Sequence, residues 1–414
     1  MSSAPAGRPR QAVILAGGRG TRLGAIGKRM PKSMVPFGGE PFLAYLLDRL
    51  RQQGFERVLM LLGYKAEQIM SYCGDGAEFG LRMDYSVTAV DDDTGRRVKL
   101  AEAKLEPHFL LMYCDNVWPL VFERMWADFA SGSAAAQVTV YRNRDGYTRD
   151  NVRVGSDGMV EVYDKSRTAP NLQGVDIGFL IVDREVLQLL PEHDNVSFEQ
   201  YLYPRLIAHR RLAAFETDHR YYSVSTPERL AETERFLTRA PCVILDRDGV
   251  LNAKQPKATW VTSPEQWCWL PGAIDALARL TEAGIELVVV TNQAGIARGG
   301  LTADDLDAIH ARMKGEAAAR GAKISTVYAC PHDWDSKCEC RKPKPGMLLQ
   351  AQREHALDLS VTPFVGDDER DGIAAAAAGC PFFPVDPEKG LAQVVAPVRD
   401  FVRAHQRKSA WEPC

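Results

Sequence analysis

The stretch that most constrains this chain is VILDRDGVLN, Val243 to Asn252, where a short apolar run empties into two aspartates separated by one residue. In a strand alternate side chains share a face, so Asp246 and Asp248, just past the end of such a run, can address one point. That point lies in the crevice at the carboxyl ends of strands, where α/β sheets bind ligands. Taken alone the pair also describes a solvated acidic turn, and the downstream segments decide between the two readings. WLPGAIDALARLTEAG reads as an amphipathic helix, and IELVVVTNQAGIARGG as a strand that ends in Thr291 and Asn292. A hydroxyl and an amide there suit phosphoryl oxygens, although both residue types also cap helices. ISTVYACPHDWDSKCECRKPKPGM then carries a cysteine cluster followed at once by Arg341 and Lys342, and TPFVGDDERDG presents Asp367, Asp368 and Asp371 where a strand meets a helix. Hydroxyl, amide, cations and carboxylates thus arrive in turn at successive strand ends.

Cys330, His332, Cys338 and Cys340 form a CxH and a CxC pair on a short loop, the number and kind of ligands that a closed tetrahedral Zn²⁺ site takes. Such a site is structural, pinning the loop that delivers Arg341 and Lys342. The whole segment from about Cys242 to Pro387 resembles the haloacid dehalogenase superfamily of phosphatases, with DRDGVLN, TNQAGIARG, RKPKPGM and VGDDERDG as its successive motifs. Within it the resemblance points to D-glycero-D-manno-heptose 1,7-bisphosphate phosphatase and to histidinol-phosphate phosphatase. The resemblance implies Asp246 as nucleophile, forming an aspartyl phosphate, and Asp248 as the acid that protonates the leaving oxygen and then activates water. It also implies Mg²⁺ held by Asp246, the main-chain carbonyl of Asp248, and Asp367, with Thr291 and Lys342 on the phosphoryl oxygens and Asn292 and Arg341 on phosphate or sugar. Asp368 departs from the pattern, standing where the heptose enzymes tend to carry lysine.

The first half of the chain opens with AVILAGGRGTRLG, a buried-strand pattern running into glycines and a basic residue. Leu15, Ala16, Gly17, Gly18, Gly20, Thr21 and Arg22 make a loop whose amides can approach a phosphate, and Lys32 adds a cation. LAGGRGTRL followed by PKSMVPFGGEPFLAYLLDRL resembles the opening of the sugar-1-phosphate nucleotidyltransferases, in which this loop holds the nucleoside triphosphate. ERVLMLLG, HFLLMYCDN and AAQVTVYRN read as strands between helices, and NVRVGSDGMVEVYDKS as a hairpin. The resemblance places a catalytic Mg²⁺ on Asp115 and the sugar phosphate on Lys165. Three departures stand out. VDDDTGRRVKLAEAKL replaces the usual glycine-rich segment and is closer to the glucose-1-phosphate cytidylyltransferase version. Cys114 replaces a glycine, and Ser223 in SVSTPERL occupies the place of a second metal-binding aspartate, with Asp218 a nearby carboxylate that could compensate. A hydroxyl is a poorer ligand than a carboxylate for a hard dication.

A chain of 414 residues accommodates two such domains. The expectation is an α/β protein with two doubly wound, Rossmann-like domains: a nucleotidyltransferase-like domain over 1–240, and a haloacid-dehalogenase-like phosphatase domain with a Zn²⁺ loop over 241–414. The helix STPERLAETERFLTRAP is expected to run to Ala240 before Pro241 stops it. A formal net charge of -3 gives no reason to expect nucleic acid or anionic membrane as partner. MSSAPAGRPR has no apolar core, and the chain is read as cytoplasmic. The two resemblances together imply a bifunctional enzyme of nucleotide-sugar synthesis, a phosphatase that acts on a sugar bisphosphate and a transferase that joins the sugar 1-phosphate to a nucleoside triphosphate. Two alternatives stay open: the first domain only binds sugar nucleotides while the phosphatase alone turns over, or the phosphatase acts on histidinol phosphate or a polyol phosphate. GTP, ATP and CTP all remain open as the nucleotide, and oligomeric state is not legible.

Overall fold

The computed structural model describes residues 7–405, and residues 1–6 and 406–414 lie outside the described residues. The chain separates into two compact units, Met1–Thr238 and Arg239–Cys414. No helix among the described residues is long and apolar enough to cross a membrane.

The first unit is built on a seven-stranded sheet. From one edge to the other its strands are Leu212–Thr217, Ala136–Tyr141, Val175–Asp183, His108–Tyr113, Gln11–Ala16, Arg57–Leu62 and Arg82–Val87. The glycine loop leaves the carboxyl end of Gln11–Ala16, which pairs in parallel with Arg57–Leu62 on one side and His108–Tyr113 on the other. Val175–Asp183 runs antiparallel to both of its neighbours, so the sheet is mixed rather than uniformly parallel. The expected hairpin is present as Val152–Val154 against Val160–Tyr163, in a small sheet of its own. The helix at the end of this unit, Pro227–Leu237, carries its proline in the first turn. It stops three residues short of Ala240, because Thr238 closes it with both its amide and its hydroxyl on the Glu234 carbonyl.

In the second unit five strands lie in the order Ile324–Cys330, Glu286–Asn292, Cys242–Leu245, Phe364–Gly366 and Phe382–Pro384, all parallel. Cys242–Leu245, the first strand of this unit, is therefore central, with the connections leaving it in opposite directions, and the switch point between them opens a crevice at its carboxyl end. Both faces of the sheet are covered, which explains why Cys242–Leu245 reads as an unbroken apolar run. Val243 and Leu245 pack with Leu277, Ile309 and Met313, from helices Ala273–Glu282 and Ala303–Ala319. Cys242 and Ile244 pack on the other face with Leu348, Ala374 and Ala375, from helices Gly346–His355 and Glu369–Ala378. Thr302 and Asp305 close the first turn of one of these helices with a reciprocal capping box, and Asp368 and Asp371 do the same for another.

Ile244 has no exposed surface and lies on the strand that carries Asp246. Ile244→Ala is expected to lower the stability of the second unit by about 2–5 kcal/mol, measured as a drop in the urea midpoint.

Candidate active site

The elements of the second unit bring their polar groups to one cavity of about 960 Å³, lined among others by Asp246, Asp248, Thr291, Asn292, Arg341, Lys342, Asp367 and Asp371. At its floor Lys342, only 3% exposed, places its Nζ 2.8 Å from Asp246 and 2.7 Å from Asp371. The main chain of Lys342 is clasped by the Asn292 side chain, which donates to its carbonyl at 3.0 Å and accepts from its amide at 3.1 Å. Asn292 therefore positions the lysine, a role the sequence reading did not give it. Burial pushes the Asp246 carboxyl above its ordinary range, with Lys342 opposing and Asp371 adding to the shift. Burial by itself would pull Lys342 down, but the two carboxylates outweigh it and hold the ammonium above its usual value.

Asp248 occupies a different environment. Arg247 reaches it with Nη2 at 3.0 Å, Asn252 donates to it at 2.9 Å and Gln293 donates at 2.9 Å. Burial raises this carboxyl, but Arg247 and the amide donors prevail and bring it below the ordinary carboxylate value. Gln293 also donates to the Thr291 hydroxyl at 2.8 Å, tying the threonine to the same network. Asp367 emerges beside Gly249, whose φ of 83° and whose approach leave no room for a side chain: a Cβ there would come within 2.5 Å of the Asp367 carboxyl. Carboxylate oxygens of Asp246, Asp367 and Asp371 lie within 4.8 Å of one another. Asp368 turns away from them to cap its helix and to pair with Arg370 at 2.8 Å and Lys254 at 3.2 Å. Its extra charge is thereby matched locally.

Cys330, His332, Cys338 and Cys340 converge as well, with Sγ of Cys340 3.4 Å from that of Cys330 and 3.2 Å from His332 Nδ1. The sequence reading named Asp371 without giving it a role, and it passed over Gln293 and Arg247. The DxxxD spacing of Asp367 and Asp371, and the position of Gln293 directly after Thr291 and Asn292, were the available signals.

In the first unit all eight nucleotide-loop candidates, from Leu15 to Lys32, line one cavity of about 280 Å³ together with Arg97, Cys114 and Asp115. Gly17 is required here, since a Cβ would lie 2.3 Å from Cζ of the buried Arg97. Arg97 donates to the carbonyls of Leu62, Ala89 and Val90 and to the Thr88 hydroxyl, so it is a fixed cation behind the loop. Lys32 pairs with Asp115 at 2.6 Å. Burial, helped by Asp115, pushes the Cys114 thiol up to about 12, which keeps it neutral. Ser223 pairs in a short ladder with Asn116, next to Asp115, but its hydroxyl lies 2.7 Å from that of Ser225. Asp218 does not make good the missing carboxylate, because it is paired to Arg142 at 2.9 Å and Arg144 at 3.6 Å. Lys165 is not among the residues that line this cavity; it is exposed and donates to Gln200 at 3.3 Å.

Residues 11–167 match the nucleotidyl transferase family, and residues 242–377 match the polynucleotide kinase 3 phosphatase family. The D-glycero-beta-D-manno-heptose-1,7-bisphosphate 7-phosphatase of Bordetella bronchiseptica is 46% identical over 138 residues, which cover 33% of this chain and 76% of that relative. The chain belongs to the family of these phosphatases. A crystal structure of D,D-heptose 1,7-bisphosphate phosphatase from B. bronchiseptica, complexed with magnesium and phosphate, is 44% identical and covers 37% of this chain and 86% of its own, with a TM-score of 0.35. The crystal structure of HddC from Yersinia pseudotuberculosis is 24% identical over 56% of this chain and 100% of its own, with a TM-score of 0.48. The chain thus joins a unit of this phosphatase family to a unit that matches the nucleotidyl transferase family.

His310 tests the network behind Asp248. It is buried and shares a 3.2 Å contact with Arg247 Nη1, so its Nε2 accepts and the ring is neutral. Burial and Arg247 pull it down to about 3. Unfolded histidine takes up a proton near pH 6.5 while this one does not, so stability falls as the pH drops below that value. Between pH 7 and pH 5 the loss assigned to this group is about 2 kcal/mol. His310→Gln, which keeps an acceptor, is expected to flatten the dependence of the urea midpoint on pH over that window.

Proposed function

We propose that the second unit removes the 7-phosphate of D-glycero-D-manno-heptose 1,7-bisphosphate and that the first unit joins the resulting sugar 1-phosphate to a nucleoside triphosphate, releasing pyrophosphate. The observation that carries the phosphatase assignment is the buried Lys342 between Asp246 and Asp371, at the switch point of the sheet. The heptose assignment is supported by the activity named for the Bordetella relative.

A carboxylate oxygen of Asp246 attacks phosphorus as the bond from phosphorus to the sugar oxygen breaks, and Asp248 gives that oxygen its proton. Water then attacks the aspartyl phosphate, Asp248 takes the proton of the water, and phosphate leaves with Asp246 restored. Because Asp248 rests in a network that favours its charged form, proton delivery requires those bonds to loosen when substrate enters. Lys342 holds phosphoryl oxygens and screens the approach of the dianion.

Asp246, Asp367 and Asp371 fit a hard divalent cation, and Asp367 Oδ1 is buried without a hydrogen-bond partner. Mg²⁺ held there would offset the repulsion between nucleophile and phosphate. The Asp248 main-chain carbonyl completes the set we assign. The thiol and imidazole donors of Cys330, His332, Cys338 and Cys340 fit Zn²⁺, which would brace the loop bearing Arg341 and Lys342. Arg341 lines the same cavity and makes no carboxylate ion pair among the described residues, so it is available to the sugar or its second phosphate.

A second reading has the first unit bind sugar nucleotides without turnover. It is favoured by the Lys32–Asp115 ion pair and by the neutral Ser223.

Asp246→Asn is expected to lower phosphate release from the heptose bisphosphate by about three orders of magnitude or more while pyrophosphate release from sugar 1-phosphate is retained. Phosphate release that survives this substitution removes Asp246 as nucleophile, and no pyrophosphate with any of the four nucleoside triphosphates leaves only the binding role for the first unit. Elemental analysis of the purified protein should give about one zinc per chain. Cys338→Ser should lose that metal and unfold at a lower temperature.

A further inference from the structure

We propose that Trp334 is the wall against which the sugar ring of the phosphatase substrate lies, an assignment that rests on the reading of the second unit as a sugar-phosphate phosphatase. Among the described residues of that unit, the exposed large apolar side chains are Trp334 at 40% and Ile373 at 49%. Both line the cavity that holds Asp246. Exposed indole surface is costly in water, and its confinement to the mouth of a reaction cavity marks a place for a ligand.

Trp334 does not hang free. The Arg298 guanidinium lies 3.7 Å from the centre of its ring, Arg298 Nε donates to Asp333 at 2.7 Å, and the Trp334 amide donates to the same carboxylate oxygen at 2.6 Å. Arg298 is not among the residues that line the cavity, so it holds the indole without itself forming the wall. A ring pre-set in this way loses little freedom on binding.

The surrounding charge names the ligand. Lys257 and Arg341 line the same cavity and have no carboxylate partner at ion-pair distance among the described residues, unlike Lys254, Lys344 and Arg370, which do. A ligand that reaches past the reacting phosphate therefore meets one apolar plane and two unpaired cations. A sugar ring bearing a second phosphate has that division: axial and ring C–H groups on one face, and a dianion at its far end. An aliphatic chain lacks the anion, and a small phosphate ester lacks the plane.

The test compares the full-length wild type with Trp334→Ala and Trp334→Phe on two substrates, D-glycero-D-manno-heptose 1,7-bisphosphate and acetyl phosphate, which has no ring. For Trp334→Ala the ratio of kcat/KM between the two is expected to fall about tenfold, carried by KM for the sugar, and for Trp334→Phe to stay within about threefold of wild type. An unchanged ratio, or equal losses on both substrates as expected of a residue that merely shapes the loop, overturns the proposal. If wild type leaves the heptose bisphosphate intact but hydrolyses fructose 1,6-bisphosphate or glucose 6-phosphate, the heptose reading fails while the same ratio, taken with that sugar, still decides the role of Trp334. If it hydrolyses no cyclic sugar phosphate, both fall.

Discussion

The second unit is organised around one buried ammonium. Lys342 comes from the loop after the cysteine cluster, Asp246 from the end of the central strand, and Asp371 from the first turn of a helix, so a single ion triad fixes three elements against one another. Charges removed from water are tolerated only when their partners are held in place, and breaking such a group by removing one member costs about 3–5 kcal/mol. The surroundings supply that rigidity. Asn292 clasps the lysine backbone in both directions, and Asp371 accepts from the Asp368 amide as part of a capping box while facing Lys342 with its other oxygen. The helix cap and the catalytic floor are thus one structure.

From this floor follows the contrast between the two aspartates of the opening motif. They leave the same strand one residue apart, yet Asp246 is surrounded by burial and a neighbouring carboxylate, whereas Asp248 is surrounded by Arg247, Asn252 and Gln293. The intervening Arg247 is what separates them: almost wholly buried itself, it turns back onto Asp248 and is backed by a neutral His310. Two carboxyl groups whose environments push them in opposite directions are suited to different tasks, one to bond formation and one to proton movement.

Much of this was legible in the residues because it is local. The apolar run of Val243–Leu245, the strand ends at Thr291 and Gly366, and the CxH and CxC pairs each announce themselves within a few positions, and each sits at the site. The parts that escaped depend on contacts between distant segments. Nothing near Asn292 says that its amide will meet the backbone of a residue fifty positions on, and Arg247 reads as a spacer until His310 is folded behind it. In the first unit the glycine loop was legible for the same reason. The antiparallel direction of Val175–Asp183 was not, because strand direction is set by the connections and not by the apolar pattern of the strand.

The two sites also differ in how ready their carboxylates are for a metal. In the second unit Asp367 keeps a buried oxygen with no hydrogen-bond partner, set near oxygens of Asp246 and Asp371. An acceptor left in that state is unfavourable, even though the other Asp367 oxygen takes Lys254 at 2.6 Å and Asp246 and Asp371 share Lys342. In the first unit Asp115 already faces Lys32 at 2.6 Å, Ser223 offers a hydroxyl that is shared with Ser225, and Asp218 is tied to two arginines. A dication entering that cavity would have to displace Lys32 from Asp115, which would free the ammonium for an anionic ligand. Lys32 thus holds the Asp115 carboxylate of the first unit, whereas in the second unit one buried oxygen of Asp367 is left without a partner.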